Sequence, residues 1–453
     1  MSIPVVTVGD SRDDLVGGLE RLHGPVSVVR RCSELAELLA ACQSGLARAA
    51  VVAAGSEELT ASLVDRLSAV GVVVIALADD PEETARLRTI GVSTEARAVD
   101  AAALAARISA AVAQRSGGGE RPGLGAAGGS APSGAAPSGA APSGAVLPAG
   151  LVPRVSGEHA AGGQSPAGKG RIIAVWGPAG APGRTLVAAN IAGELAADGQ
   201  SVLLVDADSY GASVAATLGL LDEAAGLAQA CRLADQGLLD AGALLRVATT
   251  VASKAGTFRV LTGITRADRW TELRAAALTL VLGRAREVAD VTVVDTGFCL
   301  EADEELSFDA GAPRRNAATL RCLELADTIF AVGAADSIGV PRLVRGLADL
   351  QAAVPHASPQ VVMNKVRTAA VGRSPERQLR AAWERFGPAS SLSAFLPSDP
   401  AASDAALLSG ALLLESAPES ELRRAIAKLV CAPDQRNKKS FVFSSTAQRR
   451  AKG

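Results

Sequence analysis

From residue 170 onward, short apolar runs alternate with longer amphipathic or Ala/Leu-rich stretches. Seven runs stand out: Arg171–Gly177, Val202–Asp208, Phe258–Gly263, Val291–Gly297, Thr328–Gly333, Gln360–Val366 and Ser391–Pro397. Short β-branched runs separated by helical segments read as βαβ units around a sheet covered on both faces. The fold class predicted is α/β, with a doubly wound, mostly parallel sheet.

A smaller α/β pattern precedes it. Within residues 1–115, Val5–Val8, Val26–Val29, Ala49–Ala53 and Val72–Ala76 read as strands. Asp13–Leu22, Glu34–Cys42, Leu59–Ala69 and Glu82–Ile90 carry helical spacing between them. Residues 116–169 break both patterns. They are Gly, Ala, Pro and Ser, with Ala-Pro-Ser-Gly-Ala three times in tandem at 131–145, a composition that cannot bury a core and reads as a flexible tether. Such a tether spans roughly 40 Å on average. The division expected is therefore 1–115, a linker at 116–169, a larger domain at 170–432 and a basic tail at 433–453.

The larger pattern carries the chemistry. Gly177-Pro178-Ala179-Gly180-Ala181-Pro182-Gly183-Arg184-Thr185 follows the first strand and runs directly into a helix predicted from Thr185 to Ala197. A glycine-rich turn between strand and helix lets backbone N–H groups surround a phosphate at the positive end of the helix dipole. Arg184 would add a cation and Thr185 a hydroxyl for magnesium. Taken alone, the stretch reads equally as an ordinary Gly/Pro turn, because Arg184 replaces the usual lysine and Pro178 the first glycine. The later strands change that balance. Val205-Asp206-Ala207-Asp208, Val294-Asp295-Thr296 and Met363-Asn364-Lys365 all bring polar residues to strand ends, where a nucleotide site of this fold lies.

Together these motifs resemble the MinD/ParA family of deviant phosphate-loop ATPases, over residues 169 to about 431. The resemblance implies ATP and Mg²⁺ as ligands. It places nucleotide contacts at Gly180, Ala181, Pro182, Gly183, Arg184, Thr185 and Leu186, and assigns Thr185, Asp206 and Asp295 to the metal. Asp208 falls on the residue that orients the attacking water, and Arg184 is its catalytic companion. Asn364 matches an adenine-recognising asparagine, while Pro397 and Asp399 belong to the loop lining the base. Two departures are plain: the family's signature lysine is Ala179 here, and the intraloop lysine is Arg184, whose planar fork is not equivalent to an ammonium. Binding is expected to survive both, with slow hydrolysis.

The N-terminal part is similar to a response-regulator receiver without its chemistry. The acceptor strand ends Ala53-Ala54-Gly55, Glu95–Val99 is read as the late strand without its lysine, and of the acidic pair only Asp10 remains. A degenerate receiver, a linker and a deviant ATPase form the arrangement of the CpaE/TadZ proteins of Flp-type pilus assembly; some relatives determine septum sites. The resemblance implies an ATP-dependent homodimer that binds pilus-assembly or cell-division proteins. The runners-up are a ParA-type DNA-partition ATPase and a non-hydrolysing scaffold.

Composition mostly excludes. A net charge of −2 and a pI near 6.1 give no electrostatic case for broad nucleic-acid binding. No run approaches the length of a membrane span and no signal-peptide pattern opens the chain, so a cytoplasmic location is expected. The six cysteines form no C-x-x-C pair and the three histidines are scattered. The tail carries Arg436, Lys438, Lys439, Arg449, Arg450 and Lys452 but no sustained apolar face, leaving only peripheral contact with anionic lipid to consider. Tyr210, beside Asp208, reads as a loop aromatic or a neighbour of the nucleotide. Glu301, Asp303, Glu304, Glu305 and Asp309 with Arg314 and Arg315 read as a charged loop or a partner contact.

Overall fold

The computed structural model describes residues 2–9, 15–22, 24–117, 170–220, 224–254, 256–301 and 314–431. Asp10, the linker from residue 118, the acidic loop at 302–313 and the tail from residue 432 lie outside the described residues.

Two sheets organise the chain. The first contains β1 (Ile3–Val8), β2 (Val26–Cys32), β3 (Ala49–Val52), β4 (Val73–Leu77) and β5 (Ser93–Glu95), all parallel, in the order β2-β1-β3-β4-β5. The strand β5 differs from expectation. It covers Ser93–Glu95, because the Asp79 carboxylate accepts a hydrogen bond from the Arg97 N–H (2.8 Å) where the predicted strand would continue. A helix absent from the sequence reading, Ala101–Gly117, buries Leu104 and Ile108 against this sheet. At the end of β3, a Cβ added to Gly9 would fall 2.6 Å from that of Ala54. The ends of β1 and β3 therefore touch through small residues.

The second sheet holds eight strands: β6 (Arg171–Trp176), β7 (Val202–Ala207), β8 (Thr249–Ser253), β9 (Gly256–Leu261), β10 (Val291–Thr296), β11 (Thr328–Ala334), β12 (Gln360–Val366) and β13 (Leu392–Pro397). Their order is β13-β12-β11-β6-β10-β7-β9-β8, parallel throughout except for β8 against β9. Each of the seven predicted runs overlaps a strand. The eighth, β8, is an edge strand of the sequence Thr-Thr-Val-Ala-Ser and never becomes fully buried, so it lacks the apolar signal of the others.

The central strand is β6, with β10 on one side and β11 on the other. This is a topological switch point, where parallel α/β sheets open a crevice at their carboxyl edge. The helix leaving β6, Arg184–Ala197, is buried from Val187 through Ala196. Its small side chains admit close neighbours: a Cβ at Gly193 would fall 2.4 Å from Leu412 Cδ1. Glu194, its one buried acid, is matched by Arg423 through two hydrogen bonds of 2.6 and 2.8 Å. That helix is consequently a rigid support for the turn before it.

The two sheets meet on the helix Ala275–Val288, whose Ala276 and Leu280 pack against the core of the first. Asp235 accepts hydrogen bonds from the Ser62 N–H (2.8 Å) and hydroxyl (2.6 Å) across the same boundary.

Candidate nucleotide-binding site

The turn between β6 and its helix takes a shape that ordinary turns avoid. Gly180, Ala181 and Gly183 all have positive φ, of 112°, 51° and 95°. Gly183 must be glycine for a second reason, since a Cβ there would fall 2.5 Å from Asn364 Nδ2. Residues of positive φ interleaved with ordinary ones turn successive N–H groups toward one concavity, which joins the free N–H groups of the helix start. Such a concavity suits a phosphate.

Two strand ends deliver carboxylates beside it. Asp295 and Asp206 are partners in register on the adjacent parallel strands β10 and β7, so both side chains project from the same face of the sheet. Each is 1% exposed. Thr185 donates its hydroxyl to Asp295 Oδ2 (2.6 Å) and lies 3.1 Å from the Ser213 hydroxyl. Asp206 Oδ2 accepts from the Ser213 and Val214 N–H groups at 2.9 Å each, and Oδ1 from the Asp208 N–H at 3.3 Å. Asp295 Oδ1 is buried with no hydrogen-bond partner.

Burial sets the protonation of this pair. Asp206 is pushed up to about 6, chiefly by loss of hydration and against the pull of its three N–H donors. Asp295 is raised well above the usual carboxylate range, first by burial and then by the charge of Asp206. Two adjacent buried carboxylates resist ionising together unless a cation joins them. Mg²⁺ fits that requirement, because it takes one or two carboxylates, a hydroxyl, phosphate oxygens and water rather than an all-protein cage. The orphaned Asp295 oxygen and the Thr185 hydroxyl are the donors such an ion would find.

Arg184 crosses the site. Its guanidinium donates to the carbonyls of Thr296 (3.1 Å), Gly177 (3.1 Å) and Pro178 (3.4 Å), and to Asp208 Oδ2 at 3.2 Å. Asp208 Oδ1 in turn accepts from the Tyr210 and Gly211 N–H groups (2.8 and 3.1 Å). Here Arg184 braces the glycine-rich loop against β10 and the loop after β7.

No protein-family model and no curated protein matches this chain. Among solved structures, the cell division ATPase MinD of Pyrococcus furiosus is similar at 20% identity, over 58% of this chain and 97% of that one, with a TM-score of 0.45. A ParA family ATPase from Chlorobium tepidum matches at 18% identity over 57% and 98%, with a TM-score of 0.46. The septum site-determining protein MinD from Pyrococcus horikoshii, complexed with Mg-ADP, matches at 19% identity over 57% and 94%, with a TM-score of 0.43. The structural neighbours are thus MinD/ParA-family ATPases at low sequence identity. The roles of individual residues rest on the geometry of this chain.

That geometry gathers Arg184, Thr185, Asp206, Asp208 and Asp295 into one cluster, with Gly180 to Gly183 above it. Leu186, one turn into the helix, is partly buried against the main core. Asn364 docks onto the loop. Its Nδ2 donates to the Pro182 carbonyl (2.7 Å), and its Oδ1 accepts from the Lys365 N–H (2.8 Å). Its amide therefore holds the loop. Pro397, at the end of β13, and Asp399 stand apart. Asp399 caps the helix Pro400–Ser409 through the Ala402 N–H (3.0 Å) and accepts the Ser420 hydroxyl (2.8 Å). Among the described residues no hydrogen bond joins either to the acidic cluster.

Sequence reasoning missed the other contacts because they cross between strand ends. Ser213 touches Thr185 with no motif to announce it. Tyr210 is half-buried: its hydroxyl donates to Asn316 Oδ1 (2.7 Å), and the Arg315 guanidinium lies 3.8 Å above its ring. Arg315 also donates to the Ser209 carbonyl (3.0 Å), which ties the loop after β7 to the segment following β10. Lys365 donates its ammonium to the Ala181 carbonyl (2.8 Å).

Proposed function

We propose that this chain binds ATP with Mg²⁺ and acts as a slowly hydrolysing localisation factor of the MinD/ParA kind. The observation that carries the proposal is the Thr185–Asp295 contact at 2.6 Å, under a positive-φ glycine loop and beside a buried carboxylate oxygen without a partner. The loop N–H groups and Arg184 hold the phosphates; Thr185 and Asp295, with Asp206 behind them, hold the metal. The bound ion supplies charge neutralisation for the phosphates. Asp208 orients water once Arg184 turns from it toward phosphate. Asn364 positions the loop and, with Pro397 and Asp399, borders the place left for the base. Hydrolysis is slow because Ala179 contributes no cation, and phosphoryl transfer depends on positioned positive charge.

In this reading the nucleotide-bound form is a homodimer, and the two-sheet arrangement with a degenerate receiver favours the CpaE/TadZ kind, serving pilus assembly or septum placement at the inner face of the envelope. The described residues contain no helix long and apolar enough to cross a membrane. The DNA-partition reading has one feature in its favour: Lys365, Arg367, Arg373, Arg377, Arg380 and Arg385 are exposed along one segment. Salt-sensitive binding to non-specific DNA would select it.

The test is Thr185→Ala. Titrated with a fluorescent ATP analogue, wild type should bind more tightly with Mg²⁺ than without it. The variant should lose that magnesium dependence, and an unchanged one would sink the assignment.

A further inference from the structure

Arg342 was singled out by no motif, yet it reaches the phosphate loop. It lies in the first turn of the helix Gly339–Ala353. Asp336 fixes that turn, accepting from the Ile338 N–H (3.1 Å) and the Gly339 N–H (2.7 Å). Those donors, with the Gly339 N–H foremost, hold the Asp336 carboxyl below its usual range. The turn carries Arg342 across to Gly180: a Cβ built on that glycine would fall 2.6 Å from Arg342 Nη1. Between them runs an open cleft bordered by Pro178, Ala179, Pro182 and Asp336.

Three cations therefore surround the loop, and two are already engaged. Arg184 is bound to three carbonyls and Asp208, and Lys365 to the Ala181 carbonyl. The guanidinium of Arg342 is exposed and has no hydrogen bond or ion pair among the described residues. A guanidinium held over a phosphate loop, without a carboxylate to neutralise it, is set to receive an anion. Its planar fork matches two phosphate oxygens at once. Gly180 leaves room for it, since a Cβ there would meet the tip of the Arg342 side chain.

We propose that Arg342 is a phosphate-binding residue, whose guanidinium closes over Gly180 and pairs with the terminal phosphate of a nucleotide bound in the same chain. It supplies the charge that Ala179 does not. The proposal rests on the nucleotide reading above and deepens it: this site distinguishes a triphosphate from a diphosphate by a cation from outside the loop.

The experiment measures Mg-ATP and Mg-ADP affinity of full-length wild type, Arg342→Ala and Arg342→Lys at low and high salt, with thermal melts to confirm folding. A charge-assisted contact of this kind predicts that Arg342→Ala weakens ATP binding about 10-fold and ADP binding by less than about 3-fold. Arg342→Lys should recover part of the loss, and the salt dependence of ATP binding should be shallower in Arg342→Ala. Wild type that binds both nucleotides, with Arg342→Ala binding ATP equally well, overturns the role of Arg342 alone. Equal losses for ATP and ADP with unchanged salt dependence also overturn it, showing a residue that merely supports the loop. Wild type that binds neither nucleotide overturns the nucleotide reading itself.

Discussion

Removing Arg184 should destabilise the nucleotide-free protein through a single named pair, and a double-mutant cycle with Asp208 isolates it. The two side chains are 13% and 8% exposed and meet at 3.2 Å. Breaking a buried ion pair from one side costs about 3–5 kcal/mol, because the remaining charge stays in a poorly hydrated place. The low end applies to Arg184→Ala. The contact to Asp208 is a single hydrogen bond, and Asp208 keeps the Tyr210 and Gly211 N–H groups as donors. We expect about 3 kcal/mol for Arg184→Ala, and less for Asp208→Ala, roughly 2 kcal/mol, because Arg184 retains three carbonyl acceptors. In the double variant neither charge is orphaned, so the two losses should fall short of additivity by about 1.5–2 kcal/mol. All three tryptophans (Trp176, Trp270 and Trp383) lie in the eight-stranded unit, so urea melts followed by tryptophan fluorescence report on it selectively. The melts should be run without nucleotide or magnesium. Additivity within about 0.5 kcal/mol would refute the argument, since it would mean that the pair is not formed in solution.

Steady-state phosphate release by purified wild type should be very slow, and Asp208→Ala should abolish it while nucleotide binding persists. Fast release by wild type alone would contradict the slow-turnover reading, and equal release by both proteins would remove Asp208 from the reaction. The N-terminal unit should take no phosphoryl group, because Ala53 and Ala54 stand against Gly9 where an acceptor carboxylate would be needed. Its amide spectrum should stay unchanged on addition of beryllofluoride, and a saturable shift there would show a misplaced acceptor.

Much of the eight-stranded unit was legible before any coordinates, for a local reason. A strand buried on both faces must be apolar along most of its length, so β6, β7, β10, β11 and β12 announce themselves as runs. Such a signal fails where burial is partial. The edge strand β8 is polar and antiparallel, and β5 was placed too far along because the turn after Glu95 depends on a hydrogen bond from Arg97 to Asp79, a residue of the preceding loop. The glycine loop was likewise visible, because positive φ at Gly180 and Gly183 constrains residue type at the position itself.

What the chain by itself determined is thus the set of elements and the residue types at their ends. It did not determine which ends meet. That Asp295 stands in register with Asp206 follows from β10 inserting between β6 and β7, a pairing made by residues far apart along the chain. The same assembly spends the amide of Asn364 on the loop, ties Arg184 to Asp208 and swings Arg342 over Gly180. Local propensity acts over a few residues, whereas charge, burial and hydrogen bonding act on whatever the packed sheet brings together. For this reason the glycine loop and the polar residues at the strand ends could be read from sequence, whereas their contacts with one another and the approach of Arg342 came only from the tertiary structure.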